Sequence, residues 1–184
     1  MSIQDYETAK RLIDAYQDKA DFAGPQPESL VRAAEAKLGV EFPPLYRRFL
    51  LEYGVGGMGG FEIYGIIQED FDHSGIPDAI WYSLQEQRDS NLPRGFVAIC
   101  NSGDGEIICL DCEDLPTEPP VMVFEPGYPL EEQCWEVVAE DFGEFFLGLV
   151  KNEIQHFSRP SPPIQRKWYE FLWPFRKNKG DSKR

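Results

Sequence analysis

Apolar residues recur every three or four positions in the first fifty residues and again near residue 145, whereas the middle of the chain carries short apolar runs between glycines and prolines. The first pattern is that of helices with one buried face, the second that of strands. Tyr6, Ala9, Ile13, Tyr16 and Ala20 share a helical face, which predicts a helix from Ser2 to about Ala20, broken at Gly24-Pro25-Gln26-Pro27. Leu30, Ala34 and Leu38 predict a second helix from Pro27 or Glu28, with Gly39 as a left-handed C-terminal cap. Phe42 precedes Pro43 and must be extended, and Pro44 suits the first position of a third helix, Pro44 to Tyr53. Its apolar stripe is Tyr46, Phe49, Leu50 and Tyr53.

Gly54 to Gly60 reads as a turn or a place where backbones approach closely, leading into a strand at Phe61–Tyr64. Gln68 to Gly75 is a polar, acidic loop. A helix from Pro77 to about Gln87 turns Ile80, Trp81 and Leu84 inward. Strands are expected at Phe96–Cys100, Glu106–Cys112 and Val121–Phe124, with short connections that favour antiparallel pairing. Val138, Phe142, Phe145 and Leu149 place a last helix at about Glu136 to Ile154, packed on the sheet. The fold class that follows is α+β: a single domain with a twisted, mostly antiparallel sheet flanked by helices, plus a C-terminal tail.

Length fits that reading, since 184 residues bury roughly 70% of their unfolded surface in one core. No apolar run approaches the roughly 20 residues that span a bilayer, and the first ten residues lack the basic and apolar regions of a secretory signal. Cys100, Cys109, Cys112 and Cys134 are therefore expected as buried thiols of a cytoplasmic protein.

Charge changes the picture more. Net charge is −14, but it is unevenly spread. Residues 52–150 hold 21 acidic and only 2 basic residues, whereas residues 151–184 hold 9 basic and 3 acidic. The acidic block repels nucleic acid and anionic lipid; on charge alone, attracting basic protein surfaces and merely keeping the protein in solution are equal readings.

Candidate chemistry is sparse. Gly54, Gly56 and Gly59 match the spacing of a dinucleotide loop, but a helix precedes and a strand follows, the reverse of the order that presents a helix N-terminus to a pyrophosphate. Cys109 and Cys112 form a C-x-x-C without a second pair, short of the four ligands of a structural zinc site. Acidic pairs such as Asp104 with Glu106, or Asp111 with Glu113, are expected by chance in so acidic a segment, and a hydrolase built on Asp111 ranks last among the function classes. No G-x-S-x-G or H-E-x-x-H occurs. The expectation is a protein that is not an enzyme, with no catalytic residues, no cofactor and no metal.

Three stretches in order, Leu38 to Gly57 (LGVEFPPLYRRFLLEYGVGG), Asn101 to Cys112 (NSGDGEIICLDC) and Val138 to Val150 (VAEDFGEFFLGLV), resemble the SUKH superfamily, the Smi/Knr-type family. The resemblance covers roughly residues 27–150 and divides the chain into an N-terminal helix (1–24), a Smi/Knr-like domain (25–157) and a Pro-rich, aromatic and basic tail (158–184). It implies an immunity protein of a polymorphic toxin system that binds and neutralises a cognate toxin, a nuclease or deaminase. The alternative is a non-enzymatic regulatory or scaffold protein, as in the fungal branch.

On that reading the partner is a toxin with a basic surface, without nucleic acid, and the protein is a monomer or weak homodimer. Candidate contacts are Glu69, Asp70, Asp72, Asp78 and Glu86 from the acidic loop and next helix, and Asp104, Glu106, Glu113 and Asp114 from hairpin tips. In the tail, Trp168, Phe171 and Trp173 sit among basic residues. Docking on protein is favoured over a membrane surface, because opposite charge is tethered in the same chain.

Overall fold

In the computed structural model, residues 2–113 and 118–157 are described. Helix α1 spans Ser2–Ala15, α2 Glu28–Leu38, α3 Pro44–Glu52, α4 Ala79–Asp89 and α5 Phe142–Phe157. Strands β1 (Ala20–Phe22), β2 (Gly56–Met58) and β3 (Phe61–Ile63) form one antiparallel sheet. Strands β4 (Phe96–Asn101), β5 (Ile107–Asp111), β6 (Val121–Phe124) and β7 (Val137–Ala139) form a second, an antiparallel meander. The fold is α+β, with two sheets where one was expected.

Each helix forms where its apolar face finds a partner. Tyr6, Ala9 and Ile13 of α1 are buried, and α1 packs along α5. Helix α1 thus shares the core with the rest. Gly39 ends α2 at φ 73°, its N–H donating to Glu35 O at 2.8 Å. In α3, Tyr46, Phe49 and Leu50 are fully buried; the Tyr46 ring meets Phe142 of α5 edge-on, and the Phe49 ring meets Phe142 and Phe146, at separations of 5.4–5.7 Å. Burying each of these rings stabilises the fold by about 1.5–3 kcal/mol.

Three expectations are corrected by pairing that is distant in sequence. The first helix stops at Ala15, passes through a short turn at Gln17–Lys19, and becomes β1, because Ala20, Asp21 and Phe22 pair with Met58, Gly57 and Gly56. The glycine stretch is itself a strand, the middle one of its sheet. The last helix begins at Phe142, six residues later than predicted, because Val137–Ala139 pair with β6. Asp141 caps that helix by accepting the Glu144 N–H at 2.9 Å, and Glu144 accepts the Glu140 N–H in return at 2.8 Å.

The two sheets meet edge to edge. β3 is an edge strand of the first sheet and β4 of the second. A bulge in β4 leaves Ile99 unpaired with β5, and the Ile99 carbonyl accepts the Tyr64 N–H at 2.7 Å. Beyond that contact the edges separate. No helix among the described residues is long and apolar enough to cross a membrane.

Candidate partner-binding surface

The acidic loop is anchored at Phe71, Gly65 and Asp78. Phe71 is buried. Gly65 exchanges backbone hydrogen bonds with the chain at Pro77 and Ala79, at 3.1 and 2.8 Å. Asp78 is fully buried at the N-cap of α4. Its Oδ1 accepts the N–H groups of Ile80 and Trp81, both at 2.9 Å. Its Oδ2 accepts the Ile67 N–H at 3.2 Å and the Ser74 hydroxyl at 3.1 Å. Asp78 therefore leaves the set of partner contacts: an Asp just before a helix satisfies orphan amides, and here burial completes that role.

The remaining loop acids face solvent, with different neighbours. Asp72 pairs with Lys37 Nζ at 2.7 Å, which holds its carboxyl below the usual carboxylate range. Asp70 lies 3.0 Å from His73 Nδ1. Glu69 is exposed. Glu86 is half-buried on α4.

The second candidate group divides. Asp104 is exposed at the tip joining β4 to β5, where the Gly103 N–H donates to Asn101 Oδ1 at 2.8 Å and the Asp104 N–H to Ser102 Oγ at 3.2 Å. Glu106 is half-buried beside it. Glu113 is exposed just past the other end of β5, about 15 Å away along a five-residue strand. Asp114, Trp168, Phe171 and Trp173 lie outside the described residues.

Between the diverging sheet edges lies a groove of 460 Å³. Gly60, Phe61, Glu62 and Tyr64 form one wall, and Cys100, Asn101 and Gly103 the other. Ile76, from the end of the acidic loop, stands on the rim and is 57% exposed. Ile67, at the start of that loop, is 43% exposed. The walls are fixed by their own contacts: Tyr64 packs edge-on against Tyr82 at 5.4 Å, and Tyr82 Oη accepts from Asn101 Nδ2 at 3.1 Å. Burial and nearby Asp21 push the Glu62 carboxyl above its usual range. The groove thus joins the loop at Ile76 to the hairpin tip at Gly103, and combines apolar and acidic surface.

Sequence reasoning did not find Glu62, Tyr64, Ile76 or Asn101. Ile67 and Ile76 were the available signal, since both are large apolar residues flanking a polar loop and on no helical face. The cysteines sit where expected with one exception. Cys100, Cys109 and Cys112 are buried, and burial pushes the Cys100 and Cys112 thiols up to about 12 and Cys109 higher still. Cys134 is exposed, contrary to expectation, because it lies in the irregular stretch before β7. No cluster of three or more His, Cys, Asp or Glu side chains among the described residues is arranged to hold a metal ion.

Comparison with curated proteins finds no match. The family model SUKH_5, described as SMI1-KNR4 cell-wall, matches residues 9–151, from the second half of α1 through most of α5. With that match over most of its length, the chain belongs to the SUKH, or SMI1-KNR4, family.

Proposed function

We propose that this protein is a cytoplasmic immunity protein that binds a cognate toxin domain, a nuclease or deaminase, and neutralises it without catalysis. Family membership supports the class. The observation that carries the reading is the surface beside the groove: exposed Glu69, Asp70 and Asp104 near exposed Ile67 and Ile76. An apolar anchor within a charged rim is the composition of a protein interface. Enzymes that act on nucleic acid present basic clefts to phosphate, and an acidic surface steers such a cleft to itself.

Co-expression with candidate nuclease or deaminase toxin domains, taken first from the genes neighbouring this one, tests the reading by cell survival. The full chain protects. A variant with Ile76→Asp, Glu69→Lys and Asp104→Lys, all at exposed positions, keeps its fold and loses protection by at least about tenfold in affinity, as loss of an interface anchor predicts. Full protection by that variant would reject this surface. The second reading, a regulatory or scaffold protein of the same family, uses the same surface on another partner. It is favoured if the full chain rescues no poisoned cell.

A further inference from the structure

Helix α5 carries the chain to the mouth of the groove. Its last turn lies against the turn between β2 and β3: the Gly60 N–H donates to Glu153 Oε2 at 3.1 Å, and the ring of Phe157 stands 3.1 Å from where a side chain on Gly59 would begin. Gly60 is also the first residue of the groove wall. Phe157 is where the described chain ends, and 27 residues follow it.

Those residues carry 8 basic and 2 acidic groups, together with Trp168, Tyr169, Phe171, Trp173 and Phe175. The groove offers the complement. Phe61, Tyr64 and exposed Ile76 supply apolar surface, and Glu62 and the neighbouring Asp104 supply negative charge. A volume of 460 Å³ lies within the range of about 300–1,000 Å³ that holds a small ligand, so it suits a few side chains rather than a folded domain.

We propose that the groove is the intramolecular docking site of the C-terminal tail, with Trp168, Phe171 and Trp173 against Phe61, Tyr64 and Ile76, and Arg166 and Lys167 against Glu62 and Asp104. Trp168 is eleven residues beyond Phe157, a length that reaches up to about 35 Å. Tethering at the groove's own mouth gives an effective concentration on the order of millimolar. Docking also covers an aromatic patch that would otherwise favour aggregation. Any external partner that uses the groove must displace the tail. This holds whether or not that partner is a toxin.

Amide hydrogen exchange on the full-length protein tests the site. The probes are residues 60–64 and 100–103, in buffer without lipid. Two full-length variants are compared with the parent: one with Trp168, Phe171 and Trp173 changed to Ala, and one with Glu62→Lys and Asp104→Lys. Both are expected to exchange about tenfold faster at these residues, with unchanged melting temperature and unchanged exchange in β5. Protection in the parent should not depend on protein concentration. Equal exchange in parent and tail variant overturns the proposal. Protection that grows with concentration assigns the groove to a second copy. Protection that appears only with phosphatidylserine vesicles assigns the tail to a membrane. Either of the last two also overturns intramolecular docking.

Discussion

Asp78 accepts hydrogen bonds from four donors at once and so ties the acidic loop to the start of α4. Asp78→Ala leaves the two cap amides and the Ile67 amide without that acceptor. The expected loss is about 2 kcal/mol or more, read as a lower urea midpoint with an unchanged slope. Glu118 behaves differently. Its Oε1 caps α3 by accepting the Leu45 N–H at 2.7 Å, while its Oε2 is buried without a hydrogen-bond partner among the described residues. Burial, with Asp141 nearby, raises its carboxyl above the ordinary value. A carboxyl that ionises less readily when folded stabilises the protein while protonated, and that contribution is lost as pH rises through the folded pKa. Thermal melts of the parent and Glu118→Gln at pH 4 and pH 7 should therefore show the parent losing ground to the variant at the higher pH. An equal difference at both values would contradict the assignment. At the cysteines, burial predicts order of reaction: Cys134 alkylates in the native protein at neutral pH, whereas Cys100, Cys109 and Cys112 alkylate only on unfolding. Mass spectrometry of labelled peptides reads that order directly.

At the scale of elements, the glycine strand leaves no room for side chains at its glycines. A side chain on Gly57 would stand 2.8 Å from the backbone carbonyl carbon of Phe61, across the pair that joins β2 to β3. Gly57→Ala must push two backbones apart, and a loss above about 2 kcal/mol is expected by chemical denaturation. Asp141→Ala, which removes the cap of α5 and a like charge near Glu118, should cost at most about 1 kcal/mol. Comparable losses for the two would mean that β2 and β3 part easily. Legibility in the sequence follows the same division. α2 and α3 were readable nearly to the residue because Gly39, Pro44 and the stripe of Tyr46, Phe49 and Leu50 are local signals. β1 and β7 were not, because three-residue strands carry too little periodicity and exist only through partners 34–38 and 15–18 residues away. The start of α5 was legible in principle: Asp141 and Glu144 form the D-x-x-E of a capping pair. The apolar spacing around Val138 outweighed it, although Val138 is buried as a strand residue.

At the scale of the whole molecule, the segregation of charge sets how the protein meets a partner. With 21 acidic and 2 basic residues between positions 52 and 150, association with a basic partner should slow by at least about tenfold from 50 mM to 500 mM salt, with a smaller change in dissociation. Stopped-flow mixing checks this, and a salt-independent association rate would remove steering from the account. By itself the sequence determined the α+β class, the helices that carry local caps and stripes, the acidic block and the family. Those properties depend on residue type and near-neighbour spacing, which a linear chain displays. Tertiary structure alone decided that there are two sheets, that Asp78 is a buried staple, and that Glu113 stands apart from Asp104. It also decided that a groove opens where β3 and β4 part. Each of these depends on which distant backbone satisfies which amide, as when the Ile99 carbonyl turns to Tyr64 across the gap between sheets. No spacing along the chain records that choice.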